Sequence, residues 1–215
     1  MPLPDPSPAH SPDDPPAPTA KAAAVLRAAR PAFASHGYAK TTMQDIASAA
    51  GISRASLYLL FANKEELFRA GSVEAHRAVL ADVDRALSGS APALERIRDA
   101  LLAYASELLA DFAKSPHRDE LFRAGKTLTG DLVHRVTAGM LERIEATLLA
   151  AERGGEISLA AGPPAARVAR IALAAVDGTK QLGEQADLRQ GIDDLIALLR
   201  AATTLPTPAR DRVGR

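Results

Sequence analysis

The sequence predicts an all-α fold, on three observations. Alanine supplies much of the apolar content, aromatics are only 4% of the 215 residues, and tryptophan is absent; such a composition favours helices. Apolar side chains recur at spacings of three and four, the period of a helix with one buried face. Capping residues, glycines and prolines stand where those periodic stretches begin and end. The pattern divides into a small N-terminal three-helix domain, residues 19–70, and a larger helical domain, residues 71–204.

The elements follow in order. Residues 1–18 hold eight of the fifteen prolines, and such a stretch has too few apolar groups to offset its ordering entropy. It reads as a disordered, polyproline-like arm; Asp5, Asp13 and Asp14, with no lysine or arginine, argue against phosphate contact. The first helix is expected from Thr19 or Ala20 to Gly37, with Leu26, Phe33 and Val25 inward. Pro31 lies inside it, where a lost backbone hydrogen bond predicts a local kink. Helices are next expected near 42–49, 53–61 and 63–87, the last opened by Asn63 with Glu66 as a capping pair.

The run Ser88-Gly89-Ser90-Ala91-Pro92 breaks the chain and starts a new helix. Leu94, Ile97, Leu101, Tyr104, Leu108 and Phe112 then form one buried face, ended by Lys114-Ser115-Pro116. A short helix near 118–125 and a long one near 129–152 follow, closed by Gly154-Gly155. The last two helices are expected at about 164–186 and 189–203, with Ile192, Leu195, Ile196 and Leu199 as an apolar stripe. Residues 205–215 read as a frayed tail.

The densest local information lies in residues 41–68, TTMQDIASAAGISRASLYLLFANKEELF. Ala47 precedes Gly51 by four residues and Leu57 follows it by six. A helix-turn-helix needs a small residue for close approach, a turn residue tolerant of positive φ, and an apolar anchor in the second helix. Ile46, Ile52 and Leu60 complete the small shared core, and Ser53 suits the N-cap of the second helix. A helix of roughly nine residues, about 13 Å long, fits a major groove.

With these residues in view, residues 20–70 resemble the DNA-binding domain of the TetR family of bacterial transcriptional regulators. The stretch GYAKTTMQDIASAAGISRASLY followed by NKEELF is similar to that family's signature nearly position for position. The resemblance covers about a quarter of the chain. It implies a dimeric, all-helical repressor whose C-terminal domain senses a small molecule. Charge fits the DNA-facing reading: Lys21, Arg27, Arg30, Lys40, Arg54, Lys64 and Arg69 stand against Asp45, Glu65 and Glu66, although the chain as a whole has net charge zero.

The expected DNA-binding residues are Thr41, Thr42, Met43, Arg54, Ala55, Ser56, Tyr58, Leu59 and Lys64. Arg54 and Ser56 occupy the first turn of the recognition helix, which reaches base edges. Arg54 suits a guanine or a phosphate, and Ala55 a thymine methyl. Tyr58 and Lys64 match positions where the family contacts phosphate, and helix-start amides favour an anion in any case. Thr42 suits a cap and Thr41 competes for the same role. Leu59 is expected to point outward, as a thymine-methyl contact or as an edge of the domain core. Met43 replaces the polar residues common at its position and weakens base readout from the first helix of the motif.

The C-terminal domain is expected to dimerise and to hold an effector. Ala165, Val168, Ala172, Ala175, Val176 and Thr179 would permit close approach between the last two helices and their copies, in the four-helix bundle the resemblance implies; packing within one chain is the alternative. The candidate effector contacts are Tyr104, Leu108, Phe112, Phe122, His134, Met140 and Asp177, whose aliphatic surroundings suit an apolar or amphipathic molecule. The alternative is a DNA-binding dimer without an effector, or an activator. The expected partners are double-stranded DNA with a pseudo-palindromic site, a second copy of the chain and a small molecule.

Enzymatic function is disfavoured. His10, His36, His76, His117 and His134 show no ligand spacing, no glycine-rich phosphate loop is present, and no convergent catalytic set emerges. Neither a metal nor a cofactor is expected. With no cysteine, no apolar run near the roughly 18 residues of a membrane span, and no secretory signal pattern at the start, a cytoplasmic location is expected.

Overall fold

The computed structural model describes residues 17–110, 115–160, 162–182 and 185–203, and at residues 106–110, 180–182 and 185–186 the backbone alone. The arm expected at residues 1–18 therefore lies outside it but for its last two residues. The tail at 205–215, Phe112 and the side chain of Leu108 lie outside it as well. Every regular element among the described residues is a helix. They are α1 (Ala20–Lys40), α2 (Met43–Ala49), α3 (Arg54–Tyr58), α4 (Lys64–Leu87), α5 (Ala93–Ala110), α6 (Arg118–Arg153), α7 (Ala165–Leu182) and α8 (Gln185–Thr203). None is long and apolar enough to cross a membrane.

Helix boundaries follow the caps. Thr19 accepts from the Ala22 amide and opens α1. The helix continues through Pro31, and among its residues only Gly37 departs from helical dihedrals, at φ 78° and ψ 167°. Pro31 is thus no terminus, as expected, but the kink expected there has no counterpart in the dihedrals; the one departure falls at Gly37, where the sequence placed the helix end, and the helix runs on to Lys40. At the start of α4, Asn63 accepts from the Glu66 amide (2.8 Å), while the Glu66 carboxylate reaches back to the Ala62 amide (2.7 Å). The capping pair therefore closes one residue further back than the usual reciprocal box. The two helices expected at 118–125 and 129–152 run as α6, interrupted at Thr129 (φ −134°, ψ 20°).

The chain divides into two compact units, one of Met1–Asp84 with Ser106–Thr137 and one of Arg85–Ala105 with Ala138–Arg215. In the first, Val25, Leu26, Ala29 and Phe33 of α1 close over Ile46 and Ala47 of α2, Leu57 of α3, and Leu67 and Phe68 of α4. Phe33 and Tyr38 each meet Phe68 edge-on, at centroid distances of 5.2 and 5.1 Å. Leu121, at the start of α6, joins this core. Arg69 of α4 grips Asp131 of α6 with both guanidinium nitrogens (2.9 and 2.5 Å) and also donates to the Leu128 carbonyl (2.6 Å), beside the Thr129 interruption. That arginine holds the Asp131 carboxyl well below the ordinary carboxylate range.

The second unit is built on α7 against α8, with Ala165, Val168, Ala169, Ala172, Leu173 and Val176 buried on one side and Leu188, Ile192 and Ile196 on the other. Gly191 allows the close approach, because a Cβ there would stand 3.1 Å from the Thr179 methyl. Ile97, Leu101, Met140, Ile144 and Leu148 are fully buried in the same unit. Arg98 of α5 donates to Asp193 of α8 at 2.5 Å, and Arg200 of α8 pairs with Glu95 of α5.

His76 is the one histidine buried among the described residues, with Nδ1 2.7 Å from the Ser72 carbonyl. Burial lowers its pKa from the usual 6.5. The unfolded chain then binds the proton more readily, so stability is intact above about pH 6.5 and declines as pH falls below it. Urea titrations at stepped pH should show this decline, at most about 1.4 kcal/mol per pH unit for one proton. The His76→Gln protein should lose it.

Candidate DNA-reading surface

Two short helices form the motif, and each end is closed by a local bond set. Thr42 accepts from the Asp45 amide (3.2 Å), and the Asp45 carboxylate accepts from the Thr42 amide (2.8 Å) and hydroxyl (2.7 Å). These bonds hold the Asp45 carboxyl below its usual pKa. At the far end of α2, the Gly51 amide bonds the Ser48 carbonyl (3.2 Å) and the Ile52 amide bonds the Ala47 carbonyl (3.0 Å). That is the Schellman closure, with Gly51 at φ 65°. A Cβ at Gly51 would meet nothing within 4 Å, so glycine is required there by dihedral and not by space. Ser53 then caps α3 by accepting from the Ser56 amide (3.1 Å).

As regular helix, α3 is five residues, Arg54–Tyr58, shorter than the nine expected. Leu57 bonds Leu60 and Phe61 through its carbonyl and is itself fully buried. The chain turns inward there to seat Phe61 in the core, which ends the helix early. Ala47 and Ile46 are fully buried, as the motif demands.

The surface left outside has two rows. Arg54 and Tyr58 form one: the guanidinium stands 5.5 Å from the tyrosine ring centroid, with Nη2 3.4 Å from the phenol oxygen. Ala55 and Leu59 form the other, and the Leu59 amide bonds the Ala55 carbonyl at 3.2 Å. Leu59 is 86% exposed and takes no part in the domain core. Leu60 packs against that core. Thr42 is exposed at the start of α2, and Ser56 is half-buried.

Two expected contacts turn inward instead. Thr41 is buried, its hydroxyl donating to the Gly37 carbonyl at 2.6 Å and its amide to the same oxygen at 3.3 Å, so the side chain is spent on the end of α1. Met43 is buried among the core side chains, because the first turn of α2 packs this face against its neighbours. Neither side chain is placed to meet DNA. Lys64 is also engaged: Nζ donates to the Tyr38 and Ala39 carbonyls (2.6 and 3.0 Å) and lies 4.5 Å from the Tyr38 ring centroid. Glu120 of α6 accepts from the Ala39 amide at 2.6 Å. The Tyr38–Ala39 segment that feeds α2 is thus held from two sides. Nothing in the local sequence pairs Glu120 with a residue 81 positions earlier, whereas the Thr42–Asp45 box was visible in its spacing.

The effector candidates separate. Tyr104 and Met140 are buried in the second unit, and Asp177 there is half-buried. Phe122 is 39% exposed and His134 is exposed, both in the first unit. Phe122 lies 5.9 Å beneath the Arg118 guanidinium and, like His134, is not sealed in an apolar interior.

Two short capped helices, closed on a shared core with a polar and an apolar row outward, define a helix-turn-helix domain of the kind transcriptional regulators use. Residues 25–70 match the family described as bacterial regulatory proteins, tetR family. That match is to the N-terminal domain, which is of the TetR type. Among curated proteins it is 34% identical over 79 residues to the uncharacterized HTH-type transcriptional regulator YhgD of Bacillus subtilis, covering 37% of this chain. The match spans 41% of that relative, less than half its length. Among solved structures, a TetR transcription regulator from Haloarcula marismortui shares the fold with a TM-score of 0.71 at 19% identity, over 86% of this chain and 98% of that one. SmeT, the repressor of the Stenotrophomonas maltophilia multidrug efflux pump SmeDEF, does so with a TM-score of 0.62 at 21% identity, over 88% of this chain and 98% of that one.

Gly37 combines a glycine-only dihedral with a Glu120 carboxylate inside contact distance of any added Cβ. Gly37→Ala should therefore destabilise the protein by about 1–3 kcal/mol. Pairing it with Glu120→Ala should recover only part of the loss in thermal unfolding, since the dihedral cost remains.

Proposed function

We propose that the chain is a homodimeric, ligand-responsive transcriptional repressor that leaves its operator when a small apolar or amphipathic molecule binds. The observation that carries the DNA-binding half is the α3 surface: Arg54, Ala55, Tyr58 and Leu59 are exposed together beside the half-buried Ser56, while Leu57, Leu60 and Phe61 are committed to the core. In this reading Arg54 and Ser56 meet base edges. Thr42 and Tyr58 meet phosphate, and Lys64 acts through the Tyr38 and Ala39 carbonyls by fixing the entry to α2. With two of its three ammonium protons so used, Lys64 has one left for a phosphate.

Dimerisation is supported by a set of residues that keeps only Ala175 of those the sequence suggested. Ala165, Val168, Ala172 and Val176 are used inside the chain, the alternative weighed for that stripe. On the opposite side of α7, Ile171, Ala174, Ala175 and Gly178 are exposed at spacings of three and four, and Leu198 of α8 is 70% exposed. Small residues of this kind let helices approach closely, and a two-fold pairing would cover the same patch on both copies. Two recognition helices so related would enter successive major grooves about 34 Å apart.

For the effector, the contacts proposed are Tyr104 and Met140, buried in the second unit, and the half-buried Asp177. A molecule bound there acts only to the extent that it prefers the DNA-free arrangement. That the similar fold of SmeT is a repressor's agrees with the direction of regulation proposed. The second reading, a dimer without an effector, keeps every DNA prediction and loses only the response to ligand. Mass spectrometry of small molecules co-purified from the native host, followed by thermal-shift titration, separates the two.

Selection from a pool of random duplexes by the full-length protein should enrich a pseudo-palindrome. On that duplex Arg54→Ala should weaken binding by about 1–3 kcal/mol and relax one base position; equal loss on specific and random DNA would remove its base-reading role. Ile171→Glu should leave folding intact but give monomers at micromolar concentration in sedimentation, with operator affinity lost alongside.

A further inference from the structure

We propose that Leu59 is a specificity-determining residue that reads the 5-methyl group of thymine in the major groove, an inference that rests on the DNA-binding reading above. The sequence left two roles open for this side chain, and the structure leaves one. Leu59 is outside the domain core, and at 86% it is the most exposed of the large apolar side chains described. A single exposed leucine is ordinary on a protein surface; what distinguishes this one is its place. Its backbone is still helical (φ −70°, ψ −20°), and its amide bond to the Ala55 carbonyl sets it one turn along the same face. The recognition helix therefore offers an apolar row, Ala55 and Leu59, beside the polar row of Arg54 and Tyr58.

Chemistry selects the partner of each row. In the major groove three of the four bases offer only hydrogen-bonding groups to a protein, and thymine alone adds a methyl. An arginine gains from the former, and a leucine can gain only from the latter. Its isobutyl group set against cytosine or adenine edges would strip water from polar atoms without returning a hydrogen bond. Alternation of the two rows thus encodes a half-site in which thymine stands beside the base or phosphate that Arg54 engages. The exposed residues of α3 beside Leu59 are Arg54, Ala55 and Tyr58, so a protein partner would find only one leucine and an alanine methyl to bury.

The test uses the full-length protein and the duplex it selects from random DNA. Each thymine of the half-site is replaced singly by uracil, which removes the methyl and nothing else. At one or two positions uracil should weaken binding about fourfold, the value of burying roughly one methyl. Leu59→Ala should lose a similar factor on the thymine duplex and show no further loss on the uracil one. Leu59→Met should restore part of the discrimination, and circular dichroism should report unchanged helix content in both variants. Indifference to uracil at every position overturns the proposal, as does a uracil penalty that persists undiminished in Leu59→Ala, which would assign the methyl to Ala55. Selection that enriches no sequence overturns the DNA-binding reading itself.

Discussion

The outward face of α2 and α3, the candidate DNA-reading surface, depends on the burial of Ile46, Ala47 and Leu57. Helices of seven and five residues do not persist in water, because the first hydrogen-bonded turn costs more ordering entropy than it returns. They persist here because those three side chains are fully sealed against α1 and α4, and because each end is satisfied locally by Thr42, Asp45, Ser53 and the carbonyls around Gly51. Propensity contributes little. α3 is in effect a turn of backbone held rigid by one leucine beneath it.

A second constraint lies where the chain enters the motif. The Tyr38–Ala39 segment has its carbonyls bound by Lys64 and one amide bound by Glu120, while Gly37 bends the backbone into a shape no other residue adopts cheaply. Ser115 reinforces the same junction by donating to the Ala34 carbonyl at 2.6 Å. The start of α2 is therefore referenced to the start of α6, and α4 is referenced to the middle of α6 by Arg69 and Asp131. A shift of α6 has two direct routes to the reading surface.

The fold was largely legible in the sequence, since helix periods and caps are local: Thr19, Thr42, Ser53 and Gly51 act where their types and spacings suggest. Less legible were the directions in which side chains face. Thr41 and Met43 look polar-adjacent and DNA-proximal in the linear pattern, yet the bend at Gly37 and the packing of α2 turn both inward. The small residues of α7 posed the same ambiguity, because alanine is equally at home in a chain's own core and between chains. Ala172 went to the former and Ala175 was left exposed. Contacts such as Arg69 with Asp131 carry no sequence signature at all; their partners are 62 residues apart.

The separation of support from surface in α3 also bears on how such a protein diverges. Leu57 carries the packing, whereas Arg54, Ala55, Tyr58 and Leu59 are exposed, and substitutions at exposed positions away from caps usually change stability by no more than about 0.5 kcal/mol. Recognition can therefore drift residue by residue without threatening the folded state. After duplication, two copies of such a gene could acquire different target sites while sharing one scaffold, with the core positions held fixed and the outward rows left to vary.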